Sequence, residues 1–520
     1  MDAILEALGR PEAYPHPTEA ITVAETHISW VFLTGVWAYK VKKPVNLGFL
    51  DFSTLEKRAH YCHEEVRLNR RLAADLYIDV VPITRSDTAV RVGGDGAVIG
   101  HAVKMRQFDR SQELDRLLAG NRLTARHIDS IIDTVAAFHL AIPPADPDSE
   151  YGRPEKLILP LLENFRHTSE LVACRAEELL LEKVRAWVQK EHLRLTPCFF
   201  ERKAGGFIRH CHGDMHTGNM VWQKDRVLIF DCIEFSPALY MIDVTSDIAF
   251  LFMDLQHSGN TGLAWRFLNG WLSATGDYES LRLLRFYSLY RATVRAKVTA
   301  IRYEQEADET RRHTIREEHL SYVRHAFHYT QPTAAHLMIT CGVSGSGKST
   351  HGGAIALELQ AVHIRSDIER KRLAGIPADT RSSNCSGIDI YTAPFTEKTY
   401  RRLAEIAATA LEEGFAVLVD ATFLGKGERR QFRKLARQYG CRFTILHFHA
   451  DKAILRERVK ARLREGRDPS EADEAVLQKQ LEAAEPLSEE ELSDEILIDT
   501  GREVDYRSIA NHLRHRKESP

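Results

Sequence analysis

The chain has no excess of charge of either sign: 70 lysines and arginines face 73 aspartates and glutamates, a formal net charge of −3. That balance supplies no field to steer the whole molecule onto nucleic acid or an anionic membrane. Long apolar runs are missing as well. The most hydrophobic stretch, DIAFLFMDL at 247–255, is far too short to span a bilayer and carries two aspartates. The opening MDAILEALGRPEAYPHP has no basic segment leading into an apolar run, which argues against a secretory signal. Cysteines are scattered at 62, 174, 198, 211, 232, 341, 385 and 441, with no C-x-x-C pair. They predict reduced, mostly packed thiols in a cytoplasmic protein. Neither an internal repeat nor a low-complexity tract is present.

What remains is 520 residues with 44% hydrophobic content, enough for two or more cores. WVFLTGVWAYKVKKPV predicts two short strands turning near Gly35, and residues 54–76, free of Gly and Pro, predict a helix. Strand-like pieces follow at 78–84 and 97–106. After FDRSQ the pattern turns helical, at about 124–141, 155–172 and 174–192. Strands return only near 219–231 before helices resume to about 328. The reading is a bilobal α+β domain over 1–328, with a small mixed lobe over about 1–107 and a helical lobe over 108–328. A turn-prone linker at 329–335 comes next. From 336 to 520, the apolar runs LMITCG, FAVLVD and FTILHFH alternate with helical segments. That alternation predicts an α/β domain with a doubly wound, mainly parallel sheet.

GVSGSGKS (342–349) fits G-x-x-x-x-G-K-[ST] between a strand and a helix. Backbone N–H groups must wrap phosphate oxygens there, so Gly342, Val343, Ser344, Gly345, Ser346 and Gly347 form the cradle. Lys348 reaches the terminal phosphates, Ser349 offers a hydroxyl to Mg²⁺, and Thr350 continues into the helix. Asp367, after a short extended run, can deprotonate an acceptor hydroxyl or sit near the metal. Asp420 ends the strand VLVD, where a carboxylate can contact Mg²⁺ through water. The plain alternative for both is a helix cap or a loop carboxylate. Arg458 and Arg462 share one helix face, with Arg467 beyond, and can close over phosphates as a lid or form a solvated basic face. The stretches GVSGSGKST, RSDIERKRLAG and VDATF resemble P-loop kinases of the zeta-toxin-like and polynucleotide-kinase-like group. That resemblance implies transfer of the ATP γ-phosphate to a hydroxyl, with Asp367 as candidate base.

HCHGDMHTGN (210–219) packs three histidines and a cysteine into ten positions and suggests zinc. Zinc needs further ligands, however, and no second His/Cys cluster supplies them. Reading onward, MVWQ and VLIF flank a turn, so a hairpin brings Asn219 and Asp231 side by side, with Asp214 one loop earlier. An aspartate to accept a proton, beside an amide and a carboxylate to hold Mg²⁺, is what phosphoryl transfer requires.

This stretch resembles the catalytic loop of aminoglycoside phosphotransferases and related small-molecule kinases, over roughly residues 20–300. Carried over, Asp214 is the base, Asn219 and Asp231 are Mg²⁺ ligands, and Asp247 supports the loop. Lys40 lies where the phosphate-binding lysine belongs, with Glu65 as its partner; Lys42 and Glu64 stay open as alternatives. The sequence departs from the pattern in having no glycine-rich loop before the lysine strand, and in Cys232 after Asp231. With KVKKPVNLGFLDFSTLEKR (40–58), the whole resembles a bacterial family fusing an aminoglycoside-phosphotransferase-like domain to a P-loop ATP-binding domain. The resemblance implies two ATP and Mg²⁺ sites and a small-molecule acceptor; the charge balance speaks against nucleic acid as a partner and the short apolar runs against a membrane. The alternatives are a nucleotide-switched regulator whose front domain senses a ligand, and a nucleic-acid end kinase.

Overall fold

The computed structural model describes residues 2–46, 48, 50–87, 89–378, 380, 389–465 and 472–515; Cys385 and Arg467 lie outside them. By internal contacts the chain divides into two compact units. One comprises Met1–Cys174, Gln189–Ser258 and Tyr290–Tyr322; the other comprises Arg175–Val188, Gly259–Leu289 and Val323–Pro520. No helix among the described residues is long and apolar enough to cross a membrane.

In the first unit a six-stranded antiparallel sheet runs in the order Thr22–Glu25, Ser29–Leu33, Trp37–Lys42, Ala97–Arg106, Tyr77–Arg85, Val90–Val92. Gly35, at φ +96°, turns the chain between the second and third strands. The central strand Trp37–Lys42 is buried from Ala38 onward, which carries two lysines into the interior. Against it packs the helix Leu55–Ala73, capped by Thr54 Oγ1, which accepts from the Lys57 N–H at 3.3 Å. Cys62, Val66, Leu76 and Val103 form the core between sheet and helix. The short strands Thr22–Glu25 and Val90–Val92 add to those expected from the sequence.

The rest of this unit is mainly helical. Its centre is the helix Val244–His257, buried on every side from Val244 to Leu255, which explains why its sequence is the most apolar in the chain. The hairpin Met220–Gln223/Arg226–Ile229 closes through Lys224 and Asp225, both at positive φ (51° and 60°), as a two-residue type I′ turn demands.

In the second unit five parallel strands run in the order Val362–Arg365, Ala416–Asp420, His336–Cys341, Arg442–His449, Glu495–Asp499. The first strand in sequence therefore sits centrally and is buried at all six positions. The order in which strands are added reverses across it, and the crevice beyond its carboxyl end is where open α/β sheets place ligands. The glycine loop 342–347 occupies that place.

Candidate functional site

In the first unit the loop bearing Asp214 is tied down from three sides. Asp247 accepts hydrogen bonds from the His212 and Gly213 N–H groups at 3.0 and 2.9 Å, and from His139 Nε2 at 3.2 Å. Arg291 donates to the Gly213 carbonyl at 2.9 Å. Asp254 takes both the N–H and the hydroxyl of Thr217, at 2.9 and 2.6 Å. His212 spends Nε2 on the Phe230 carbonyl (3.0 Å) and Nδ1 on the Asp214 N–H (3.2 Å), and burial holds its pKa down. His216 Nδ1 accepts from the Gly218 N–H at 3.1 Å. Among the described residues, His139, Cys211 and Asp247 alone cluster closely enough to suggest a metal. The Asp247 oxygens are already engaged by loop N–H groups, and the Cys211 thiol donates to the Ile242 carbonyl at 3.5 Å. The histidines and this buried trio are loop architecture.

Asn219 Nδ2 donates to both the backbone oxygen and Oδ2 of Asp214, at 3.0 and 2.9 Å. This leaves the Asn219 amide oxygen for another partner. Asp214 Oδ2 also lies 3.4 Å from His216 Nε2, while Oδ1 has no partner among the described residues. Burial pushes the Asp214 carboxyl up, but His216 and His212 outweigh it and hold the group below the ordinary aspartate range. The Phe230 N–H donates to the Asn219 carbonyl at 2.9 Å, so the hairpin sets Asn219 beside Asp231. Asp231 adopts the left-handed conformation (φ 61°), which aspartate tolerates, and its N–H donates to the Tyr77 hydroxyl at 3.2 Å. The Asn219 amide oxygen and the Asp231 carboxylate are of the kind that suits a hard cation such as Mg²⁺.

The same cluster distinguishes the two lysines and the two glutamates by their contacts. Lys40 Nζ lies 2.8 Å from Glu65 Oε1 and contacts the Asp231 carboxylate. Lys42 Nζ lies 2.6 Å from Glu65 Oε2 and contacts Glu234. Glu65 is thus shared by both lysines, whereas Glu64 turns away to pair with Arg67. Burial opposes ionisation of Glu65, yet the two lysines hold its pKa well below the ordinary value. Only Lys40 reaches the Asp231 side; Lys42 is sealed inside, 1% exposed. Glu234, Tyr77, Arg291 and Asp254 were not singled out from sequence, because each is far along the chain from the group it holds.

In the second unit the glycines of the loop have no room for side chains. A Cβ on Gly342, at φ +144°, would lie 2.5 Å from the Phe448 carbonyl, and one on Gly345, at φ +81°, would lie 2.7 Å from that of Leu455. Lys348 folds back to donate to the Val343 carbonyl at 2.8 Å, and burial lowers its pKa. Asp420 and Asp367 both act on the Lys348 charge. Asp420 receives a hydrogen bond from Ser349 and lies 3.6 Å from His363 Nε2. These partners hold its carboxyl at about 2 although burial pushes it up. Thr350 is exposed on the helix Lys348–Leu359. Arg458 donates to the Gly345 carbonyl at 3.3 Å and to the Thr500 hydroxyl and carbonyl at 2.9 and 2.7 Å, bracing the loop. Arg462 donates to the Ala472 carbonyl at 2.9 Å, and its charge also reaches Lys348.

Sequence reasoning missed Gln480. On the helix Glu474–Ala483, its amide oxygen accepts from the Ser344 N–H at 2.7 Å, within the expected phosphate cradle. Leu477 of the same helix packs in a cluster with Leu455 and Val459, with Val343 of the loop against it. A phosphate oxygen must compete with this amide. Gln480→Glu is therefore expected to weaken binding of Mg-ADP by about 10- to 100-fold, since a carboxylate holds the N–H more strongly and repels phosphate. Calorimetric titration checks this, reading the component of binding that Lys348→Ala removes. An unchanged affinity would mean that Ser344 does not meet phosphate.

Two family models match the chain. Residues 49–284 match the model of the phosphotransferase enzyme family, and residues 337–487 match that of an AAA domain. An uncharacterised protein of Mycobacterium tuberculosis (strain H37Rv) is 29% identical over 458 residues, covering 87% of this chain and 89% of its own. A choline/ethanolamine kinase family protein from Mesorhizobium loti aligns with 63% of this chain and 98% of its own, at 9% identity and TM-score 0.36. A gluconokinase from Sinorhizobium meliloti aligns with 36% of this chain and 98% of its own, at 22% identity and TM-score 0.25. The chain thus joins a domain similar to the phosphotransferase enzyme family to a P-loop domain similar to the AAA model, and it is a kinase or phosphotransferase.

Proposed function

We propose that the chain has two nucleotide sites, and that the front site transfers the γ-phosphoryl group of ATP to a hydroxyl of a small molecule. The carrying observation is the joint placement of Asp214, Asn219, Asp231 and Lys40. Asp214 takes the acceptor's proton. The acceptor oxygen bonds to the γ-phosphorus as the bridging P–O bond breaks, and ADP leaves. Asn219 and Asp231 would hold Mg²⁺, which neutralises phosphate charge when bound. Lys40, oriented by Glu65, binds phosphate oxygens. At the second site residues 342–349 cradle the nucleotide, Ser349 and Asp420 serve the metal, Asp367 is the candidate base, and Arg458 and Arg462 steady the loop and the nucleotide. Both sites act in the cytoplasm.

The test is transfer of labelled γ-phosphate from Mg-ATP into a bacterial small-molecule extract, using wild type, Asp214→Ala and Lys348→Ala. The expected outcome is a labelled product lost in Asp214→Ala and kept in Lys348→Ala. A second reading, a nucleotide-switched regulator, draws support from the loop bonds of Gln480 and Lys348, which any nucleotide must rearrange. It gains if only Lys348→Ala has an effect.

A further inference from the structure

The helix Leu281–Gln305 passes beneath the Asp214 loop, where Arg291 holds the Gly213 carbonyl at 2.9 Å. One turn on, along the same face, stands Arg295. Its guanidinium lies over the Tyr322 ring, 5.5 Å from the centroid, and Nε donates to the Tyr322 hydroxyl at 3.3 Å. The terminal nitrogens hydrogen-bond nothing among the described residues. Asp254 and Asp214 both feel this charge. Neither carboxylate forms an ion pair with it, although Arg295 is half-buried and an unpaired cation there is costly.

Each of the two carboxylates nearby has one oxygen engaged. Asp254 Oδ2 is bonded twice by Thr217, and Asp214 Oδ2 by Asn219 and His216. His257, stacked on Tyr322 at 3.9 Å between centroids, is kept neutral by burial. The uncommitted charge beside the base is therefore positive, and it is a planar fork of N–H donors that matches carboxylate or phosphate oxygens.

We propose that the acceptor of the front site is a hydroxylated anion, a phosphorylated or carboxylated small molecule, and that Arg295 binds its charged group. This rests on the reading of Asp214 as the base of a front-site kinase. Arg295 fixes the acceptor's charged end while a hydroxyl at the other end reaches Asp214. The reaction consumes ATP and the anionic alcohol and yields its phosphate ester, ADP and a proton. A polycationic acceptor would instead meet a like charge next to the base.

The experiment uses the full chain carrying Lys348→Ala, so that only the front site transfers. A bacterial small-molecule extract is separated by anion exchange, and each fraction is offered labelled Mg-ATP. Label is expected in retained, anionic fractions. Pretreatment of the active fraction with a phosphatase, then removed, tells a phosphorylated acceptor, which is lost, from a carboxylated one, which survives. Adding Arg295→Gln is expected to raise the acceptor KM by about 10- to 100-fold, the loss of a charge-assisted contact, with Arg295→Lys partly restoring it. The KM for ATP should stay within about threefold. Label confined to unretained fractions overturns the inference alone, as does an unchanged acceptor KM or an equal rise in both KM values. Absence of label in every fraction overturns the kinase reading and this inference with it.

Discussion

Asparagine in place of Asp214 is expected to lower front-site turnover by about 10²- to 10⁴-fold, with the KM for ATP almost unchanged. The substitution is nearly isosteric, so Gly213 stays held by Asp247 and Arg291, and Asn219 keeps an oxygen to donate to. Only the acceptance of a proton is removed. The measurement is kcat and KM in the Lys348→Ala background, with hydrogen exchange over residues 208–220 as the check that the loop persists. A variant within threefold of the parent would remove Asp214 from the chemistry. Acid sensitivity provides a second reading. Because His216 and His212 hold the Asp214 carboxyl down, it stays ionised as pH falls to its ordinary value of 3.8, and no protonation of this group should limit turnover above that. Such an aspartate is a weak base, which suits phosphoryl transfer, where little proton movement is needed before the transition state.

How far the sequence foretold this depends on the distance along the chain over which each contact acts. The hairpin 220–229 and the glycine loop were readable because their physics is local. A two-residue turn fixes which ends meet, and a loop with positive φ and no space for a Cβ at set positions is written in its glycines. The doubly wound sheet was readable because its strands alternate with helices. The choice between Lys40 and Lys42 was not. On an extended strand both point the same way, and what separates them is Asp231 against Glu234, each nearly two hundred residues on. Gln480 was equally hidden, as a single glutamine on a polar helix that gains meaning only beside Ser344. The helix begun at Arg175 runs past the expected end to Ala204, through Pro197. Proline discourages a helix locally, but Leu195, Cys198 and Phe199 are buried around it and packing carries the helix on.

Methionine at position 42 is expected to cost the first unit about 3–5 kcal/mol while leaving Lys40 in place. Lys42 is the counter-charge for Glu234 and half the support of Glu65, and all three are buried. Burial already raises the Glu234 carboxyl, and Lys42 is the main influence opposing it. Without the lysine Glu234 must either stay charged with no direct partner or take up a proton at neutral pH, and either route destabilises the fold. The sign follows from that proton. A carboxyl whose folded pKa lies above its unfolded value is least costly below the ordinary 4.5, and its cost grows as pH rises from there through the folded value. The deficit of Lys42→Met should therefore shrink on acidification towards 4.5 and be largest at neutral pH. Adding Glu234→Gln removes the stranded charge and should recover much of the loss, a coupling that Lys40→Met with Glu234→Gln should not reproduce. Native-state hydrogen exchange in the strand Trp37–Lys42 reads these differences directly. If Lys42→Met proves neutral, or Glu234→Gln fails to rescue it, the two lysines share one role, and the assignment of Lys40 alone to phosphate falls.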